Sequence, residues 1–302
     1  VVAAFVTTPT PENGTVVEYL DSGENPARGV VVRYHLKEAP AGIIRMAFSD
    51  IQGNVLRTFT STNEAVRKAE DELPAGSPKP LHIPSAAGWN CFVWDLRVDE
   101  ATRLEANDPQ GATMAGPLVP PGSYKISLEL DEETLNTEFD LVCDPFSNAA
   151  QEDLQAQYDL LIQIRDKVSE ANSTVNKMRR VRKQLDEWGK RLGADAQTAQ
   201  IAEGAARLRD RVLAIEKVLM MPDLKKGWPG MLNHGLQLNR KLAKLAPDIT
   251  AGDYRPTNDS VEVFKHLAQK IDTEIAAFEE LLNGDLDEFN AMLIQYQIKA
   301  VG

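Results

Sequence analysis

The densest run of like charge in the chain is Lys177-Met178-Arg179-Arg180-Val181-Arg182-Lys183. Guanidinium and ammonium groups at this spacing can hold carboxylates or anionic headgroups, and arginine does so through a planar, forked set of donors. Two uses compete for them. The run can dock an acidic partner, or it can pair with Asp and Glu of neighbouring helices while its charge suits the C-terminal half of a helix dipole. Arg179, Arg180, Arg182 and Lys183 are therefore candidate partner-docking residues. Trp228 joins them, because its place beside Pro229 in a loop makes it an exposed aromatic of the kind that anchors interfaces.

Little else is arranged for bond-making. His35, His82, His234 and His266 fall in four separate elements without paired spacing, so the HExxH and HxH metal signatures are absent. There is no GxSxG elbow, Walker loop or GxGxxG, and Gly111 and Gly116 lie in a loop without a strand-to-helix setting. The acid pairs Asp71-Glu72 and Glu132-Glu133 have the residue types for general acid–base work, but their turn-like surroundings read as solvated. Phe92 and Trp94 have the types of a sugar-stacking platform, whereas alternation along their strand turns both inward, as core. Cys91 and Cys143 form neither a disulfide framework nor a zinc pattern. Alternation turns their sulfurs apart, so no bridge between them is expected. The expectation is a chain with no catalytic residues, cofactor or metal site, and not an enzyme.

Charge narrows the partners. The formal net charge of −12 over 302 residues is unevenly spread: residues 1–150 carry about 22 acidic and 11 basic side chains, and 151–302 about 23 and 22. An acidic first half repels phosphates and anionic lipid, which argues against nucleic acid as a partner. With 43% apolar and 26% charged residues the chain has the composition of a folded globular protein. VVAAFV at the start is too short for a signal h-region or a membrane span, no transmembrane segment is expected, and the chain reads as a fragment or processed product.

The elements that position these residues divide near residue 146. From Leu154 to Leu192 apolar residues recur at three-and-four spacing, through Tyr158, Ile164, Val168, Val175, Met178, Leu185 and Trp188. This predicts one helix roughly 60 Å long, which needs partners along its whole length. A capping box at Asn148–Gln151 would open it, and Gly189 and Gly193 would end it. Further helices are expected from Asp195 to Pro222, from Pro229 to Pro247, from a Thr257 cap to Asn283-Gly284, and from Asp285 onward. Before residue 146, the Pro-, Gly- and Asn-rich residues 1–27 read as a lead-in with one strand at most, and alternating segments at 29–36, 43–49, 55–60, 88–97, 124–130 and 134–143 predict strands, with 61–87 an insertion on a sheet edge holding a short helix near 63–73. The fold class expected is multidomain β plus α: an immunoglobulin-like or fibronectin-like β-sandwich over residues 1–146, then an up-and-down bundle of three or four helices over 147–302 with one very long helix.

Four blocks, "IIRMAFSDIQGNVLRTFTS", "WNCFVWDLR", "GPLVPPGSYKISLEL" and "FDLVCDP", resemble the β-sandwich module that follows the propeller in bacterial sortilin-like, BNR-repeat propeller proteins. They are similar, more loosely, to the immunoglobulin-like domain of flagellar hook-capping proteins. "DLQAQYDLLIQIRDKVSEAN", "DYRPTNDSVEVF" and "DEFNAMLIQY" resemble helices that follow the sandwich in the first family. These motifs are structural and the propeller is absent, so no hydrolase activity comes with the likeness. What the resemblance implies is a periplasmic or extracellular location. Together with the elongated shape it leads to a protein–protein interaction or scaffolding module, for example an accessory subunit on the periplasmic face of a respiratory or photosynthetic membrane complex. The alternative is a carbohydrate-binding module of a propeller-type, glycosidase-like protein.

Overall fold

Among the described residues eight strands and six helices follow one another; from residue 30 onward their order is the one the hydrophobic patterns predict, but the lead-in over residues 1–27 holds two paired strands where at most one is expected. The structure, a computed structural model, describes residues 5–9, 15–19, 27–72, 80–105, 113–192, 199–221 and 236–296. Strands β1 (Phe5–Pro9) and β2 (Thr15–Tyr19) form an antiparallel pair. β3 (Val30–Leu36) pairs with β6 (Gly88–Trp94) in a second two-stranded sheet. β4 (Arg45–Asp50), β5 (Val55–Thr60), β7 (Gly122–Leu130) and β8 (Glu133–Leu141) form a four-stranded sheet in the order β5-β4-β7-β8. The β7–β8 turn is Asp131-Glu132, with Asp131 at φ 52°, a conformation that aspartate tolerates.

The two- and four-stranded sheets face each other over one aromatic core. Alternation turns Tyr34, Leu36, Phe92 and Trp94 inward from one sheet and Met46, Phe48, Phe59, Tyr124 and Ile126 from the other. Trp94 is fully buried, stacks on Phe48 with ring centroids 4.3 Å apart, and donates its indole N–H to the Arg97 carbonyl at 2.9 Å. It is core, as the alternation requires. Two strands facing four leave the arrangement open, and among the described residues there is neither a closed sandwich nor a propeller. Helix α1 (Glu64–Asp71), capped by the Asn63 side chain, and residues 80–83 cover the β5 side, where the Ile83 amide donates to the Thr60 carbonyl at 3.1 Å.

Helix α2 spans Gln151–Leu192, 42 residues, and buries Leu161, Ile164, Val168, Ala171, Val175, Met178 and Leu185. α3 (Ala199–Leu219) and α4 (Leu238–Ile249) run in the same direction, one after the other, along α2. Cross-contacts establish this: Arg209 meets Asp186 and Glu216 meets Arg179 on the far half of α2, while Asn239 meets Asn172 and the Ile249 carbonyl meets Gln157 on the near half. Together they make one interrupted antiparallel partner for a helix too long for either alone. α5 (Asn258–Leu281) returns parallel to α2, tied by Arg255 to Asp153 and by Asp272 to Lys167.

Four further expectations need correction. The capping box does not form: the first helical bonds of α2 end on the Ala150 carbonyl, and the Gln151 amide instead donates to the Pro121 carbonyl at 2.6 Å. Gly189 lies inside α2, not at its end. Pro247 sits within α4, in its last turn, where a missing N–H removes only one helical bond. Asn283-Gly284 does not close α5, because Gly284 stays out of the left-handed region; a π turn, Leu282–Leu286, carries the chain directly into α6 (Asp287–Gln295). The predicted helix start at Pro229 lies outside the described residues.

The two cores interlock. Ala101, Leu104 and Met114, from the loop after β6, are buried among the helices, and Tyr158 and Ile162 of α2 pack against the aromatic core of the sheets. No helix among the described residues is long and apolar enough to cross a membrane.

Candidate functional site

The basic run lies on α2 and is largely occupied. Glu216 of α3 is fully buried, and both Arg179, with Nε 2.9 Å from Glu216 Oε1, and Arg182 close on its carboxylate. A second donor of Arg179 reaches Met220 Sδ at 3.2 Å. A buried carboxylate needs such compensation, and two partly buried guanidinium groups supply it from successive turns of one helix face. Arg180 points to the other side, onto Glu105 at 2.5 Å, as an exposed pair. Lys183 is exposed. Four candidate docking residues thus separate into an internal clamp, Arg179 and Arg182, and an outer pair, Arg180 and Lys183. The sequence could not tell them apart, since Glu216 is 33 or more positions away. Trp228 lies outside the described residues, as does His234.

The other face of α2 holds residues 99–105 like a strap. Arg165 Nη1 donates to the Asp99 carbonyl at 3.0 Å, Ser169 Oγ accepts the Thr102 amide at 3.0 Å, and Asn172 Nδ2 donates to the Thr102 carbonyl at 2.7 Å. One turn on, Asn176 Nδ2 donates to the Arg103 carbonyl at 3.2 Å while its Oδ1 accepts the Glu105 amide at 2.9 Å. The Arg180–Glu105 pair ends the series. From residue 165 to 180 a helix rises about 22 Å, and an extended chain covers about the same distance from 99 to 105. Matching lengths let each polar side chain meet its backbone group without bending the strap. Leu104 and Ala101 go into the helical core beside this ladder.

A cleft of about 550 Å³ opens where the sheets meet the helices, between Pro117–Pro121, the Tyr158 turn of α2 and Ala243, Ala246 and Pro247 of α4. Several of its polar groups are spent on the fold. The Gln157 amide donates to the carbonyls of Ile249 and Gly252 at 2.9 and 2.8 Å, and Arg97 donates to the Gly116 carbonyl at 2.8 Å. Burial raises the Tyr158 phenol above its ordinary pKa. Among the described residues the cleft brings together no pair of carboxylates and no nucleophile beside a base.

The remaining candidates are dispersed. Asp71, Glu72, Glu132 and Glu133 are exposed and lie away from the cleft. His82 bridges the Thr60 carbonyl and Glu70 at 3.0 and 2.5 Å, and His266 is exposed. Among the described residues no cluster of three His, Cys, Asp or Glu side chains could hold a metal ion. Cys91 is exposed, Cys143 half-buried, and both are free thiols. Phe92 and Trp94 are core and cannot stack on a sugar. Among the described residues the exposed aromatics include Phe146, 93% accessible after the last strand, and Trp89, 78% accessible on the outer face of β6, with His35 of β3 edge-on to it at 5.3 Å. The same alternation that buries Phe92 and Trp94 sends Trp89 outward, a signal legible in the sequence. Compared with known protein families, curated proteins and solved structures, the chain matches none.

Proposed function

We propose that the chain is a non-enzymatic docking and scaffolding module that holds other proteins at a fixed spacing. It comprises an immunoglobulin- or fibronectin-like sandwich, residues 1–146, and an up-and-down bundle, 147–302, in which α3 and α4 act as one broken helix. The observation that carries the reading is the strap: five side chains of α2 grip residues 99–105 and join the sheets to the long helix through backbone groups as well as through apolar contact. A joint of this kind suits a part that fixes the orientation of what it binds. In the cleft, Gln157 and Arg97 are engaged in the fold.

The resemblance to sortilin-like proteins is what supports a periplasmic or extracellular setting, as an accessory subunit of a membrane-bound complex. Mild purification from the native source, followed by native mass spectrometry, tests this. Other subunits in fixed stoichiometry are the expected result; recovery of the chain alone would sink the proposal. The carbohydrate-binding alternative draws on one observation, the exposure of Trp89. Saturable binding to a neutral glycan array that Trp89→Ala abolishes would favour it.

A further inference from the structure

We propose that the outer face and open edge of the β3–β6 sheet bind an acidic, extended segment of a partner protein, which adds to β3 as a third strand. This rests on the docking reading and gives it a surface. β3 pairs only with β6 among the described residues, so every second residue of its other edge presents an unpaired N–H and C=O. β3 contains neither proline nor glycine and has no bulge, the state of an edge that can accept another strand.

Charge says which strand. Arg28 and Arg33 are the two described arginines with no ion pair, hydrogen bond or ring contact to a described residue, in a protein whose other described arginines are engaged. Arg33 projects outward beside exposed Val31 and His35, and exposed Lys37 follows. Residues 27–49 carry four basic side chains against one acidic, inside a half that is otherwise strongly acidic. Carboxylates spaced at every second residue of an added strand would lie on the face of Arg33 and Lys37 and meet these cations, while the apolar residues between them would turn to the inner face beside the half-buried Val30 and Val32. The β8 edge of the four-stranded sheet carries Glu133, Glu138 and Asp140 and repels the same segment. An anionic glycan would share the charge but could not use the backbone edge.

A labelled eight-residue peptide alternating glutamate and valine is the probe, with the full chain as receptor and fluorescence polarisation as readout. Saturable binding that weakens with salt is expected, reduced at least tenfold by Arg33→Glu and unchanged by Trp89→Ala, whose side chain lies on β6, a strand away from the open edge. Binding should also slow alkylation of Cys91, which lies opposite Arg33 on the same face. A lysine–valine peptide and a version interrupted by proline should bind at least tenfold more weakly. Both substituted side chains are exposed, so the melting temperature should hold; Arg33→Gln replaces the reversal if it does not. Absence of saturable binding, equal binding of the proline peptide, indifference to Arg33→Glu, or stronger Cys91 protection by polygalacturonate would each overturn the assignment. Native subunits that still copurify with the Arg33→Glu chain would also overturn it, while leaving the scaffolding reading intact.

Discussion

Glu216 is fully buried between two arginines, and its surroundings separate structural from available charge within one basic run. Glu216→Gln should leave two partly buried guanidinium groups without a counter-ion and cost about 2–3 kcal/mol, below the usual range for a buried pair because both arginines reach solvent. Arg180→Gln with Lys183→Gln, by contrast, should cost no more than about 1 kcal/mol, the upper worth of an exposed pair. Urea denaturation of the two variants reads the difference directly. Trp94→Ala should cost about 3–5 kcal/mol, because it empties the centre of the aromatic core; unchanged stability would contradict its place there. Two tyrosines make a further prediction at this scale. Burial pushes Tyr34 and Tyr124 up to about 12, and Tyr124 also donates to the Pro120 carbonyl at 2.5 Å. Unfolded, both phenols ionise near pH 10. Between about pH 10 and 12 the unfolded state therefore binds fewer protons than the folded one, and stability falls as pH rises through that window. Tyrosinate absorbance should appear together with loss of near-ultraviolet dichroism, not before it.

At the scale of elements, α2 works through two faces that its sequence makes unequally visible. The apolar face is plain from spacing alone. The strap face is Arg165, Ser169, Asn172, Asn176 and Arg180, polar residues at helical spacing that read as ordinary solvated surface until residues 99–105 are laid against them. Asn176→Ala should strip partners from the Glu105 amide and the Arg103 carbonyl and cost about 1–3 kcal/mol. Hydrogen exchange gives the sharper check: the Thr102 and Glu105 amides should be protected in the parent, and the Glu105 amide should lose protection in the variant. Equal exchange in both would mean that the strap is held by Leu104 and Ala101 alone. The π turn at Leu282–Leu286 has an equivalent logic, since it lets α5 continue into α6 while Phe289 turns onto Gly204 of α3. A Cβ at Gly204 would meet that ring at 3.6 Å, an ordinary contact, so Gly204→Ala should be tolerated.

For the whole molecule, interlocked cores bear on the division proposed at residue 146. Apolar residues of the first half are buried among the helices, and α2 packs on the aromatic core of the sheets. Thermal unfolding should therefore be one cooperative transition, with calorimetric and van't Hoff enthalpies in agreement. Two resolved transitions would show instead that the halves unfold independently and that the strap contributes little to their coupling. Charge acts at this scale as well. An acidic body with a local cationic face at β3 should show partner association that slows with added salt, because screening removes the long-range attraction but not the short-range strand pairing.

Periodicity determined the strands from β3 to β8, the long helix, the Thr257 cap and the inward place of Trp94, because each depends on neighbours within a few residues and on which side of an element faces water. Pairings across tens of residues were decided by the tertiary structure. Nothing local distinguishes Arg179 from Arg180, yet one closes on buried Glu216 and the other on exposed Glu105. Helix stops that rest on glycine or proline alone were likewise overruled: packing on both sides of Gly284 and Pro247 compensates for the single bond or the entropy each position loses. The open edge beside Arg33 belongs to the same class. Alternation turned Trp89 and Arg33 outward, but only the sheet order left β3 with one partner and therefore with an edge to offer.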